Sequence, residues 1–382
     1  MAIIGAGPAG LSAAYFLARK GYKTTVFEAL PVAGGMLAVG IPSYRLPKEV
    51  LDAEIKTITD LGVELKLSTA LGKDITIKQL FAQGYKAVLM ATGAHAGQKL
   101  GIPGEEAQGV IDGVGFLRNL ALKKAVKAAG HVVVLGGGNV AIDAARSALR
   151  LGAKEVSILY RREKDDMPAY EEEIVEAEKE GVKIHTLVAP KQVVVEKGKV
   201  KGIECTRMSL GTFDASGRRR PEVIPGSDFV VEADMVVAAI GQVPDLSYLN
   251  GDGVRATQKG TLEVDLRTLA TSAEGIFGAG DTVRGPASVV EAIGDGKNAA
   301  MTIDKYLGGD GVWKDAYRDG LAKMTVSYDE EAYQKERERV ESPHLALSAR
   351  YKNFNEVVFA YPSKMAVEEA KRCLHCYLRE EE

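Results

Sequence analysis

AIIGAGPAG, residues 2–10, decides the fold. The apolar start reads as a buried strand. Gly5, Gly7 and Gly10 then turn the chain sharply into a helix that continues from Leu11. Each glycine has a separate task in such a turn. Gly5 allows the tight bend, Gly7 lets the main chain approach a pyrophosphate, and Gly10 lets the helix lie close to the strand. Pro8 and Ala9 open the helix, whose first main-chain N–H groups and positive end favour an anion. Lys23 to Glu28 (KTTVFE) forms a second strand and ends in a carboxylate. Glu28 stands where a ribose 2′-hydroxyl needs an acceptor, about 20 residues beyond the glycines. Strand, glycine turn, helix, strand and acid together read as a dinucleotide site.

The bulk properties bound what surrounds this site. The chain has 382 residues, 46% of them apolar and 26% charged, which is ordinary for a globular protein of two or three domains. A net charge of −3 offers no basic excess for nucleic acid. Three cysteines exclude a disulfide scaffold and fit a reducing cytoplasm. The N-terminus lacks the basic start of a signal peptide. No apolar run reaches the roughly 18 residues that a membrane span needs.

Outward from the first turn, Gly34-Gly35-Met36-Leu37 and Gly40 to Pro47 form a loop with fixed bends that carries Arg45. Lys48 to Leu61 has helical spacing, Val63 to Leu67 is a short strand, and Lys86 to Gly93 is an apolar strand ending in Ala91-Thr92-Gly93. Small residues there let a ligand pass close to the chain. His131 to Leu135 (HVVVL) then repeats the opening pattern and runs into Gly136-Gly137-Gly138-Asn139-Val140-Ala141. The following strand, Glu155 to Tyr160, ends in Arg161-Arg162, where the first site has Glu28. Guanidinium groups pair bidentately with a 2′-phosphate that an acid would repel, so this second site reads as NADP rather than NAD. Asp234 to Gly241 is another apolar strand with a small-residue end. Gly275 to Asp281 is a further nucleotide signature, and a helix follows from Gly285 to about Lys305. Strands at Gly198 to Met208 and Asp228 to Val231 flank a hairpin tip with Arg218-Arg219-Arg220. The tail from Gly311 is polar, with helical runs at Asp329 to Glu341 and at 363–379.

The order of these motifs resembles the two-dinucleotide-domain flavoprotein reductases. Three segments narrow the resemblance: GGMLAVGIPSYRLP (34–47), GGGNVAIDAAR (136–146) with YRR (160–162), and GRRRPEVIPGSDF (217–229). They are similar to the glutamate synthase small subunit. Its relatives include the NADPH-binding half of dihydropyrimidine dehydrogenase and the large subunit of ferredoxin-dependent transhydrogenase. The resemblance spans residues 1–310 and implies an α/β fold of two Rossmann-like domains, the NAD(P) domain inserted in the FAD domain. The expected limits are 1–124 and 243–310 for FAD, 125–242 for NAD(P), and 311–382 for a helical C-terminal extension. Carried over by motif, FAD contacts Gly5, Gly7, Pro8, Ala9, Gly10, Glu28, Gly35, Leu37, Arg45, Leu71, Ala91, Thr92, Gly93, Gly280, Asp281, Ser288 and Val289. NADP (or NAD) contacts Gly136, Gly138, Asn139, Val140, Arg161, Arg162 and Gly241.

The resemblance also implies how electrons move. Hydride passes between nicotinamide and flavin, and no side-chain acid, base or nucleophile is required, because the cofactors carry the chemistry. The loop 34–47 contains no cysteine, which argues against a disulfide reductase. Family members carry an iron–sulfur domain ahead of the first strand. Here Met1 stands almost at that strand, so that domain is expected to be absent or on another chain. The tail holds Cys373-Leu374-His375-Cys376, two thiolates where a cubane cluster takes four ligands. The pair leaves three readings open: completing a partner's iron–sulfur cluster, a shared zinc, or surface thiols. The first functional expectation is an electron-transfer subunit that works with iron–sulfur and catalytic subunits of a larger oxidoreductase. The alternatives are a free-standing reductase of ferredoxin or a quinone, and an assembly subunit with structural FAD.

Overall fold

The computed structural model describes residues 1–213, 217–249, 253–314 and 339–372. Its frame is two five-stranded parallel sheets of the same design. The first runs Ile276–Gly278, Val88–Met90, Ala2–Ile4, Thr25–Phe27, Glu64–Lys66. The second runs Val110–Asp112, Met235–Ala238, His131–Leu135, Glu155–Leu159, Lys183–His185. The central strands of both are continuous apolar runs, as sheets covered on both faces require. In each, the strand ahead of a glycine turn sits in the middle. Strand order reverses beside it, at the switch point where open α/β sheets bind ligands. The expected two-unit α/β architecture is therefore present.

The copies differ at one edge. The outer strand of the first sheet comes from late in the chain, Ile276–Gly278. That of the second comes early, from Val110–Asp112, whose helix Gly113–Ala121 also packs into the second core. The two passages between the sheets run side by side, with Ala96–Gly97 paired antiparallel to Gln242–Val243. An antiparallel layer covers the second sheet: Val188–Glu196, Lys199–Phe213, Arg219–Val223 and Phe229–Glu232. The strand Lys199–Phe213 extends five residues past the expected end at Met208. Its partner Arg219–Val223 pairs with it there, at Met208 opposite Val223 and Phe213 opposite Arg219. Cys205 is fully buried in this layer, as a small core residue.

Helix Val289–Tyr306 begins a few residues later than the expected start at Gly285. A short helix, Asp281–Arg284, precedes it, and Ser288 caps the longer one by accepting from the Glu291 N–H. Gly296 lets this helix press on helix Pro8–Arg19: a Cβ there would stand 2.1 Å from the Ala9 carbonyl oxygen. In the C-terminal extension the helix Ser363–Ala370 falls within the expected 363–379. Of the expected run Asp329 to Glu341 all but the last three residues lie outside the described residues, and residues 343–358 form a loop bridged at His344 and Val358 around a single 3-10 turn, Leu347–Ala349.

An ionic hub joins the two sheets. Tyr44, fully buried, lies under two guanidinium groups from helix Asn139–Arg150, with the Arg146 and Arg150 carbons 4.7 and 4.0 Å from its ring centre. Arg45 donates to Asp143 at 2.8 Å and pairs with Glu173 at 3.1 Å. Glu180 accepts from Arg146 at 2.7 Å and from Arg150 at 2.6 Å. Arg350, from the C-terminal extension, closes the hub by donating to Glu176 and, at 3.1 Å, to Glu180. The same extension holds the loop: Val357 N–H donates to the Tyr44 carbonyl at 2.9 Å, and Ser43 donates to the Phe354 carbonyl at 3.1 Å. Four arginines face four carboxylates, so charge balances where water is excluded.

Candidate functional site

The two glycine turns repeat one geometry. A Cβ on Gly5 would stand 2.3 Å from the Ala91 carbonyl oxygen, and one on Gly136 would stand 2.2 Å from that of Ala239. In each sheet the first glycine therefore abuts the end of the neighbouring strand, and both have positive φ, 107° and 134°. Only glycine fits either position. The third positions differ. A Cβ on Gly10 would stand 2.0 Å from the Gly5 carbonyl oxygen, whereas the second turn carries Ala141 there. Gly7 and Gly138 each cap the helix that follows without a side-chain partner, leaving main-chain N–H groups facing outward.

A cavity of about 370 Å³ opens at the first turn. It is lined by Gly5, Gly7, Pro8, Ala9, Glu28, Gly35, Leu37, Leu71, Ala91, Thr92, Gly93, Asp281, Ser288 and Val289, all expected from the sequence. Three expected residues lie elsewhere. Gly10 is beneath the turn, where it seats the helix. Gly280 is behind the lining, against Ala9. Arg45 is turned away into the hub, because the buried Asp143 and the half-buried Glu173 carboxylates draw it from the loop toward the second sheet.

The Glu28 carboxylate organises the turn itself. Its oxygens accept from the N–H groups of Ala6 and Leu30, each at 2.8 Å. Burial raises its pKa, against the pull of those main-chain donors. Burial likewise pushes Asp281 up to about 6. His95, Arg118, Asp245 and Tyr248 also line the cavity and are not among the residues the sequence pointed to. Tyr248 Oη lies 2.6 Å from Thr92 Oγ1, which donates to Thr282 Oγ1 at 3.1 Å. Burial pushes Tyr248 up to about 12. It arrives from the passage between the sheets, a stretch without period or motif, so only the fold reveals it.

At the second turn, Gly136, Gly138, Asn139 and Val140 sit together at the start of helix Asn139–Arg150. Asn139 Oδ1 accepts from the Tyr170 N–H at 3.2 Å. Arg161 is exposed beyond strand Glu155–Leu159. Arg162 is buried and donates through Nε to the Arg219 carbonyl at 3.0 Å, so the hairpin with Arg218 to Arg220 stands beside it. Gly241 lies in the passage strand region, and its carbonyl accepts from the Gln98 N–H at 3.0 Å. Cys373 and Cys376 lie outside the described residues. Among the described residues no group of three or more metal-ligating side chains occurs, and no helix is long and apolar enough to cross a membrane.

Comparison with known proteins follows the same lines. The chain is 49% identical to "NADP(+)-dependent formate dehydrogenase subunit beta" of Moorella thermoacetica, over 99% of this chain and 54% of that protein. It is 41% identical to "NADPH-Fe(3+) oxidoreductase subunit beta" of Geobacter sulfurreducens, over 99% of this chain and 61% of that one. The chain thus spans little more than half the length of these relatives. With the glutamate synthase [NADPH] small chain of Azospirillum brasilense it shares 40% identity, over 80% of this chain and 66% of that one, in line with the expected resemblance. In fold it is similar to FprA of Mycobacterium tuberculosis, solved in complex with NADPH, with a TM-score of 0.69, 20% identity and coverage of 87% and 88% of the two chains. Residues 1–296 match the model of the pyridine nucleotide-disulphide oxidoreductases, and the chain belongs to that family.

Proposed function

We propose that this chain is a flavin-bearing, NADP(H)-linked electron-transfer subunit of a larger oxidoreductase. The observation that carries this is the doubled glycine turn, Gly5 against Ala91 and Gly136 against Ala239. Two such turns provide for two dinucleotides in one chain. Glu28 at the first turn suits the adenosine ribose of FAD, and Arg161 at the second suits the 2′-phosphate of NADP. FAD, when bound, supplies the hydride acceptor and the switch to single electrons. The chain's own residues bind and orient. The N–H groups after Gly7 and Gly138 take the two pyrophosphates, and Tyr248, Thr92 and Thr282 fix the polar wall of the cavity. Names of the relatives support the assignment, since both are beta subunits linked to NADP(H).

Among the described residues Cys205 is the single cysteine. Burial pushes its thiol up to about 12 and strands enclose it, so no described thiol serves as a partner for the flavin. We take the electrons to pass to or from another chain, an iron–sulfur subunit, in the cytoplasm. Cys373 and Cys376 would help ligate that partner's cluster. We take residues 1–124 and 243–310 as the FAD unit, 125–242 as the NADP unit and 311–382 as the extension. Strand Val110–Asp112 crosses over to the second sheet ahead of the first limit.

Purifying the chain anaerobically with its companions and recording visible spectra tests the proposal. NADPH bleaches the flavin band and NADH does so weakly. A chain that carries no flavin, or a flavin that NADPH leaves oxidised, refutes it.

A further inference from the structure

The cavity at the first turn has one cationic side chain on its wall, and that side chain belongs to the other unit. Among the described lining residues, Arg118 is the single lysine or arginine. It is carried by helix Gly113–Ala121, whose Phe116 and Leu117 are packed in the core of the second sheet. Its Nη1 donates to the His95 carbonyl at 3.2 Å, which holds the guanidinium at the cavity wall. The other charges on that wall are the carboxyls of Glu28, Asp245 and Asp281.

Nearby groups able to share the role are already committed. Burial and then the Arg118 charge push His95 down to about 4, so its imidazole is neutral at pH 7. The Lys48 ammonium is turned to the carbonyls of Leu37 and Ile41, at 2.8 and 2.7 Å, and is not on the wall. The N-terminus of helix Val289–Tyr306 reaches the cavity at Ser288 and Val289. Its positive end already has an acid, since Glu291 accepts from the Ser288 N–H at 2.9 Å.

The direction of the cavity says what Arg118 meets. Glu28 marks the adenosine end and the glycine turn marks the diphosphate. The redox ring must lie at the far end, toward the unit that brings the nicotinamide. Arg118 comes to the wall from the second unit, and His95, Asp245 and Tyr248 come from the connections between the units. We propose that Arg118 stabilises the anionic reduced flavin and so sets its potential. The reaction is NADPH + FAD → NADP⁺ + FADH⁻. The C4–H bond of the nicotinamide breaks, a bond to flavin N5 forms, and two electrons with one proton move as hydride. The ring gains a negative charge, and a fixed guanidinium favours that form over the doubly protonated one. This inference rests on the FAD reading above, and it makes the flavin's potential depend on how the two units are joined.

The test is a dye-equilibrated anaerobic titration of the purified flavin-loaded chain, comparing wild type with Arg118→Gln and Arg118→Lys. Arg118→Gln should shift the reduced-to-oxidised ratio at fixed potential about tenfold toward oxidised, a drop of about 30 mV for two electrons. Arg118→Lys should recover part of it. The pH above which reduction takes up one proton rather than two should rise in Arg118→Gln, which a mere packing defect would not cause. If Arg118→Gln fails to retain flavin, the same two readouts on Arg118→Lys decide. An unmoved or raised potential overturns the role of Arg118 while leaving the flavin assignment intact. A wild-type chain that holds no flavin overturns the assignment itself.

Discussion

Replacing Arg350 with Gln should free the C-terminal extension without unfolding the two sheets. Arg350 is buried and donates to Glu176, to Glu180 at 3.1 Å and to the Leu345 carbonyl at 2.7 Å. Removing one partner of a buried ion pair costs about 3–5 kcal/mol, because the other charge stays buried. The lower end applies here. Glu180 keeps Arg146 and Arg150, and Glu176 keeps Lys179 at 2.9 Å. About 3 kcal/mol corresponds to a roughly 100-fold larger opening constant. Amide hydrogen exchange reads that constant directly. The reporters are the N–H groups of Val357, bonded to Tyr44, of Leu345, bonded to Val357, and of Phe359, bonded to Pro343. Their exchange should accelerate about 100-fold, while that of strand His131–Leu135 stays unchanged. The Arg339–Glu172 pair is the control. Both side chains are 68% exposed, and Arg339→Gln should leave the exchange of the three reporters unchanged. Acceleration below about threefold at the three reporters would refute the hub as the holding point. Equal acceleration in the central strand would show that the hub holds the whole fold instead.

Three further outcomes follow from the same geometry. Burial pushes the Glu180 carboxyl up, but hydrogen bonds from Arg150 and Arg146 prevail and hold it at about 2, below its ordinary 4.5. A depressed carboxylate contributes stability that is full above its unfolded pKa. About 3 kcal/mol should therefore be lost as pH falls from about 4.5 to about 2, and urea midpoints against pH should flatten in Glu180→Gln. Gly294 and Gly296 lie two residues apart on one helix and should respond with opposite signs. Nothing lies within 4 Å of a Cβ on Gly294, so Gly294→Ala should stabilise by about 0.5–1 kcal/mol in thermal denaturation, whereas Gly296→Ala drives the helix off Ala9 and should lower the melting temperature. Arg161→Ser should raise KM for NADPH about 10- to 100-fold, the worth of a charged hydrogen bond, and leave NADH unchanged; equal loss for both nucleotides would assign Arg161 to general binding.

What could be read from the sequence was whatever is written locally. Each glycine turn is a contiguous pattern whose residues act on one another, so Gly5 to Gly10 and Gly136 to Ala141 announced both strand–turn–helix units. Arg45 meets Asp143, about a hundred residues away on a helix of the other unit, and loop position says only that a charge is nearby. Tyr248, His95 and Arg118 reach the cavity from connecting segments and from a helix of the opposite unit. Their placement depends on how the sheets are joined, which no local period encodes. The antiparallel strand Val188–Glu196 escaped for a similar reason. It carries Pro190, Lys191 and Gln192 near its start, and a ladder with Lys199–Phe213 overrides its weak local signal.

The doubled design makes the joint between the units the decisive element. Hydride transfer needs its two carbon and nitrogen centres within about 3–3.5 Å, so two sites on separate sheets must be held in a fixed relation. The paired passages, Ala96–Gly97 with Gln242–Val243, give only a two-residue ribbon. The hub adds what the ribbon lacks, because Tyr44 and Arg45 of the first unit are clasped by Asp143, Arg146, Arg150 and Glu173 of the second. Arg350 belongs to neither unit, yet it completes the charge balance of that clasp. A chain cut after residue 310 would keep both glycine turns and both switch points. It would also leave Glu176 and Glu180 short of a cation and uncover the Tyr44 main chain, so each nucleotide would still have its turn while the relation between them loosened. The extension that follows the nucleotide units is thus mechanically part of the reacting body.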